Sequence, residues 1–186
     1  MKDARGSVLV EPFDAPPAGR MAVVTDPEGA VFMLWQAGAR QGAQIVNEPS
    51  AWSMSVLNTR DVEGAKAFYG AVFGWGPETF GGSVTLCRLP GFFGGEPSQP
   101  VPRDVVAAIA PLTPELFPDD TPSHWAIDFW IADANAAAET AAANGGTVIA
   151  APHEAPPFRR AIIADPAGAS FSVSQKLPLP VAASGP

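Results

Sequence analysis

Met21-Ala-Val-Val-Thr-Asp26-Pro-Glu-Gly-Ala-Val-Phe-Met-Leu-Trp-Gln36 and Arg160-Ala-Ile-Ile-Ala-Asp165-Pro-Ala-Gly-Ala-Ser-Phe-Ser-Val-Ser-Gln175 align without a gap, and these two stretches decide how the chain is built. Each reads as a strand, an Asp-Pro-x-Gly turn and a second strand. In such a turn the Asp side chain caps neighbouring amides, Pro fixes φ at the first corner and Gly supplies a left-handed one. The likeness continues upstream, where Gly6-Ser-Val-Leu-Val and Ala15-Pro-Pro match Gly146-Thr-Val-Ile-Ala and Ala155-Pro-Pro. Each copy is therefore three strands preceded by the end of a helix, a repeated supersecondary unit.

Upstream of the second copy, His124-Trp-Ala-Ile-Asp-Phe-Trp-Ile131 alternates and is rich in aromatic and β-branched residues, so it reads as a strand. Asp133 can cap an Ala-rich helix over Ala134 to Asn144, which Gly145-Gly146 ends. That unit is βαβββ. A further unit lies between the two copies. Trp52 to Leu57 is a strand, and Asp61 caps a helix over Val62 to Phe73. Along that helix Val62, Ala65, Phe68, Tyr69 and Val72 share one face. Strands follow near Glu78–Phe80, Val84–Leu89 and Val105–Ala110, with a Gly- and Pro-rich loop over Gly91–Arg103.

The expected organisation is a partial unit at 1–40, holding only the last three strands, then a complete domain at 51–175 made of two βαβββ units, 51–112 and 123–175. Ala37–Ser50 and Thr113–Ser123 link the units, and 176–186 is a flexible tail. The fold class is α+β, with the paired units forming a curved eight-stranded sheet: a hollow on one face, helices on the other. The orphan strands Ser7–Val10, Met21–Thr25 and Val31–Trp35 leave open edges, which invite a homodimer through the N-terminal strands.

Composition narrows the classes. With 21 Pro and 18 Gly, the chain is built of short elements and turns, not a helical bundle. A net charge of −8 without a Lys/Arg run argues against nucleic acid as a partner. Cys87 is the single cysteine, which excludes an internal disulfide and a Cys-pair zinc site. It sits in an alternating apolar run and reads as a buried, inert thiol. The N-terminus has no apolar stretch to serve as a signal peptide, and no window approaches a membrane span, so the expected location is the cytoplasm.

The helix segment Asp61-Val-Glu-Gly-Ala-Lys-Ala-Phe-Tyr69-Gly-Ala-Val-Phe-Gly-Trp75, with the turns at Asp26 and Asp165, resembles the vicinal-oxygen-chelate superfamily. That superfamily includes glyoxalase I, bleomycin-resistance proteins and extradiol dioxygenases. The resemblance runs from Gly6 to Gln175 and is greatest to actinobacterial glyoxalase-like proteins of four tandem units. Against those it implies a chain short by roughly one and a half units at its N-terminus.

The resemblance also implies where metal ligands would stand: seven residues before each helix-capping Asp and seven after each turn Asp. Those positions hold Met54, Ala126, Ser172 and Met33, and the strand Val105–Ala110 carries no carboxylate. A divalent cation needs converging carboxylate, imidazole or amide oxygens, so the expectation is no metal and no cofactor. The residues left to rebuild a site are His124, Asp128, His153 and Glu154, the last two in a Pro-flanked loop. A solvated loop His and a hydrogen-bonding strand His describe them better.

What remains is an apolar hollow. Residues two apart share a strand face, which places Met54 and Val56 with Asp128 and Trp130, and sets Trp52 and Trp125 at its mouth. Any one of these could simply fill the core. Asp128 differs, because a carboxylate on an apolar strand needs Arg159, Arg160 or a ligand beside it. The expected function is metal-free binding of a planar or apolar small molecule, of sequestration or resistance type. The alternative is a glyoxalase-, dioxygenase- or hydroxylase-like enzyme, a lyase or oxidoreductase, using a divalent metal or Asp128 and His124 as acid and base.

Overall fold

The computed structural model describes residues 1–80, 84–92, 94 and 104–178. Most of the expected Gly91–Arg103 loop and the tail beyond Pro178 lie outside the described residues. Two compact units emerge: unit 1 comprises 1–46 with 54–126, and unit 2 comprises 47–53 with 127–186. The three N-terminal strands cluster with most of the first βαβββ unit.

Unit 1 opens with β1 (Ser7–Ala15), β2 (Gly19–Thr25) and β3 (Val31–Ala37), an antiparallel three-stranded sheet. Next come β4 (Trp52–Thr59), α1 (Val62–Phe73), β5 (Gly76–Phe80), β6 (Val84–Arg88) and β7 (Val105–Pro111). Unit 2 holds β8 (His124–Trp130), α2 (Ala134–Ala143), β9 (Thr147–Ala155), β10 (Phe158–Ala164) and β11 (Ser170–Lys176). The boundary falls inside β4 and inside β8. The strand order of the larger sheet is β5-β6-β7-β4-β8-β11-β10-β9, the eight strands that two βαβββ units require.

Local chemistry explains α1. The Asp61 side chain accepts from the Gly64 amide at 2.8 Å, satisfying one of the helix's orphan donors. Gly64 permits this, because a Cβ there would collide with the Asp61 carboxylate. At the other end Gly74 takes the left-handed conformation at φ 70°, which a side chain would resist. Ala65, Phe68 and Tyr69 form the buried stripe. They pack against Leu57, Cys87 and Ile109 of β4, β6 and β7 as well as Ala30 and Phe32 of the N-terminal hairpin. Burying one such aromatic side chain stabilises the fold by about 1.5–3 kcal/mol, so α1 fastens both layers of unit 1.

The N-terminal sheet is two-faced. Val24 and Phe32 turn towards the α1 core, whereas Val10, Val23 and Met33 lie in register on the other face, next to Phe13, Met21 and Trp35. Met33 is 65% exposed and Trp35 41%.

In unit 2, Asp133 caps α2 by accepting from the Asn135 and Ala136 amides at 2.9 and 3.1 Å. Ala137 and Ala141 of that helix pack on Ala161, Ile163 and Val173. β8 runs parallel beside β11, with Asp128 opposite Ser172 and Phe129 opposite Val173. Val173 and Phe129 face α2, so Asp128, Ser172 and Ser174 belong to the face turned away from it.

Two sequence expectations need correcting. His153 and Glu154 are not in a loop: β9 continues through both of them to Ala155, paired with Arg160 and Arg159 of β10. The Pro residues mislead because β9 ends the sheet, and a strand at an edge tolerates them. Lys176 belongs to β11, not to the tail. No helix among the described residues is long and apolar enough to cross a membrane.

Candidate functional site

Unit 2 places an unusual polar set on its α2-distal sheet face. Asp128 is only 5% exposed, and three hydroxyls donate to its carboxylate. Ser53 Oγ reaches Oδ2 at 2.7 Å, while Ser172 Oγ and Ser174 Oγ reach Oδ1 at 2.6 and 2.9 Å. Arg160 Nη2 lies 3.4 Å from Oδ1 and donates to Ser172 Oγ at 3.2 Å. A buried carboxylate is costly unless paired and hydrogen-bonded, and here it is both. Arg160 is thus the partner that Asp128 required, whereas Arg159 pairs with Glu154 at 3.0 Å.

Strand periodicity assembles this set. Ser172 and Ser174 are two apart on β11, Asp128 is the parallel-register partner of Ser172, and Arg160 is the antiparallel partner of Ser174. The run Ser170-Phe-Ser-Val-Ser174 carried that alternation in plain view, with hydroxyls on one face and apolar residues on the other. Ser53 and Ser174 were not anticipated as site residues; that alternation would have pointed to Ser174. Trp130 is buried on this face, its ring perpendicular to Phe158 with centroids 6.0 Å apart. Trp52, also in unit 2, is half-buried on β4.

The remaining anticipated residues lie in unit 1. Met54 is half-buried and Val56 is buried on β4. Trp125 joins the aromatic cluster around α1. Its Nε1–H donates to the Tyr69 hydroxyl at 2.9 Å, and the two rings stand perpendicular at 5.4 Å. Tyr69 in turn donates to Asp26 Oδ2 at 3.1 Å. Burial above all, and then the Asp26 charge, push the Tyr69 phenol well above its ordinary range. Trp125, expected at the mouth of the hollow, is half-buried and belongs to this hydrogen-bond chain. His124 has both ring nitrogens engaged. Nδ1 lies 2.8 Å from the Pro122 carbonyl, which can only accept, so Nε2 is left to accept from Asn58 Nδ2 at 3.3 Å. Burial raises the Cys87 thiol to about 11, as an inert thiol requires.

The implied metal does not fit these residues. Met33, Met54 and Ala126 offer no oxygen or imidazole donor, and the Ser172 hydroxyl is already committed to Asp128. Within unit 2, β11 and β10 separate Asp128 on β8 from His153 and Glu154 on β9, about 14 Å at three strand spacings. Among the described residues, no three His, Cys, Asp or Glu side chains are placed so that they could hold a metal ion.

A second polar cluster in unit 1 escaped the sequence reading. Glu28, in the β2–β3 turn, accepts on Oε2 from the Arg60 and Asp61 amides, each at 3.1 Å, from Ser123 Oγ at 2.7 Å and from Thr59 Oγ1. Its carboxylate therefore sits at the N-terminus of α1, where backbone donors favour an anion. Burial alone would raise its pKa, but the four hydrogen bonds outweigh that and hold it below the ordinary range. A cavity of about 220 Å³ adjoins Glu28, Asp26 and Arg5, with no member of the Asp128 set in its walls. The protein's own Glu28 already takes the two amides that lead into α1.

Comparison with known proteins agrees with this architecture. The family model described as a glyoxalase-like domain matches residues 54–174. A Mycobacterium bovis protein named "Putative glyoxylase CFP32" is 36% identical over 178 residues, which is 93% of this chain and 62% of that protein. The "Anthracycline biosynthesis protein DauV" of Streptomyces sp. strain C5 is 33% identical over 188 residues, covering 100% of this chain and 63% of its own. The chain thus spans somewhat over three fifths of the length of these relatives. Among solved structures, the Mn(II)-bound glyoxalase of Novosphingobium aromaticivorans matches with a TM-score of 0.58 at 17% identity, covering 95% of this chain and 56% of that one. The dioxygenase LapB of Pseudomonas sp. KL28 has the same TM-score at 12% identity, covering 100% of this chain and 68% of its own. At such identities the likeness is one of fold alone.

Proposed function

Because the chain belongs to the glyoxalase-like domain family, we propose that it is a metal-independent member that binds a planar or apolar small molecule in the cytoplasm. The observation that carries this reading is Ser172. At the last-strand position where the superfamily resemblance places a metal ligand, it donates its hydroxyl to Asp128 and accepts from Arg160. A carboxylate already engaged by hydroxyls, beside a guanidinium with donors to spare, favours recognition of an organic ligand over coordination of a cation. Trp52, Asp128 and Trp130 are the anticipated ligand residues that unit 2 holds. The name of the Streptomyces relative, an anthracycline biosynthesis protein, favours flat polycyclic compounds as the first ligands to try.

Tryptophan fluorescence titrated with planar polyketides and simpler polycyclic aromatics tests the proposal, since stacking near Trp52 or Trp130 quenches emission. Saturable quenching is expected. Elemental analysis of protein purified without chelator tests the other half. A stoichiometric divalent metal would replace this reading with the enzyme reading that the name of the mycobacterial relative suggests.

A further inference from the structure

We propose that the Arg160 guanidinium, braced by Asp128 and Ser172, is a built-in cation that recognises the carboxylate of a planar aromatic acid on the α2-distal sheet face of unit 2. This inference rests on the small-molecule reading above and narrows its ligand class.

The first support is an internal control. In the gap-free alignment of the two copies, Arg160, Ser172 and Ser174 fall on Met21, Met33 and Trp35. The same hairpin therefore folds with an apolar face in one copy and a polar face in the other. The polar set is not a requirement of the backbone. Nor is it the cheapest route to stability, because a partly buried ion pair costs desolvation that well-packed apolar side chains avoid.

The second support is the state of the guanidinium. Nη2 makes both recorded contacts, to Asp128 and Ser172, while Nη1 and Nε donate to no protein acceptor among the described residues. The Arg160 side chain is 32% exposed and that of Asp128 is 6% exposed, so the guanidinium is the member of the pair that is open to solvent. Asp128 and Ser172 thus tether the head group at Nη2 and leave its other donors without a protein acceptor among the described residues. Trp130 and Phe158 flank the same face and supply an aromatic wall.

The third support is charge. Asp128 already offsets part of the Arg160 charge, so a singly charged oxyanion suits the remainder better than a doubly charged phosphate. Arg–carboxylate hydrogen bonds are the stronger, charge-assisted kind.

The experiment uses the full chain with benzoate, naphthoate and anthraquinone carboxylate, each against its own primary amide, by calorimetry and tryptophan fluorescence at low salt. At least one acid is expected to bind about tenfold or more tightly than its amide, the scale of a charge-assisted hydrogen bond. Arg160→Met, which installs the residue of the first copy, brings acid and amide to equality. Because that variant leaves Asp128 without its cation, Arg160→Met with Asp128→Asn is made in parallel, and the same equality is expected. An acid preference that persists in either variant overturns the inference. Equal binding of acid and amide to the unaltered chain overturns it too, while leaving small-molecule binding intact. Binding of neither acids nor amides across the panel sinks both readings.

Discussion

The two Asp-Pro-x-Gly hairpins share a backbone and a turn, and differ in the partners that each one meets. In β2–β3, Asp26 is 3% exposed; Oδ1 accepts from the Glu28 and Ala30 amides at 3.0 and 2.9 Å, and Oδ2 accepts from Tyr69. In β10–β11, Asp165 makes the same two turn bonds, each 2.9 Å, but lies at the surface with no further partner recorded. The turn position x is Glu28 in one copy and Ala167 in the other, and only the glutamate reaches a helix. Turn chemistry therefore sets the hairpin, while the side chains around it decide what each hairpin is fastened to.

That contrast can be broken most forcefully at Asp26. Asp26→Ala strands two turn amides and the Tyr69 hydroxyl, and urea unfolding is expected to show a loss of about 4 kcal/mol, against about 1 kcal/mol for Asp165→Ala. Equal losses would mean that Tyr69 adds nothing. Tyr69 is the only tyrosine, so its phenolate absorbance reports on that bond alone. A phenol whose pKa is raised on folding contributes stability that is complete below the unfolded value near 10 and is lost as pH rises beyond it. Phenolate should therefore appear only together with alkaline unfolding.

Asp128→Ala leaves Arg160 and three hydroxyls without their acceptor and is expected to cost about 3 kcal/mol, somewhat less than a fully buried pair because Arg160 can rehydrate. The sharper variant combines Asp128→Leu, Arg160→Met, Ser172→Val and Ser174→Val. If the polar set serves ligand binding, thermal unfolding should stay within about 1 kcal/mol of the parent while fluorescence quenching disappears. A smaller effect separates the two turns. Glu28→Ala should cost about 1 kcal/mol as a lost helix-terminal anion, while Ala167→Glu should change stability by less than about 0.5 kcal/mol. Because folding lowers the Glu28 pKa, its contribution is present above the ordinary glutamate range and fades as pH falls through the lowered value. The acid limb of the unaltered chain should thus be steeper than that of Glu28→Gln.

Much of this was legible in the residues. Capping Asp, terminal Gly and helical spacing marked α1, which runs from Val62 to Phe73 as the spacing predicts, because local signals specify local structure. The need of Asp128 for a partner was also legible, since a lone carboxylate on an apolar strand is a conflict that something must resolve. Which arginine resolves it was not, because that depends on strand register: Arg160 and Arg159 point to opposite faces. The partners of Glu28 and Trp125 were not legible for a related reason. Each meets partners at least 31 residues away in sequence, Thr59 for the one and Tyr69 for the other, and no local pattern announces such a meeting.

Glu28 also bears on how unit 1 opens. One carboxylate oxygen collects donors from the start of α1, the end of β4 and the residue before β8, while its backbone belongs to the β2–β3 turn. Fraying of the first turn of α1 and detachment of the N-terminal hairpin then become a single event, since both release the same atom. In hydrogen exchange the amides of Arg60 and Asp61 should open with the free energy of the hairpin rather than that of an ordinary helix end.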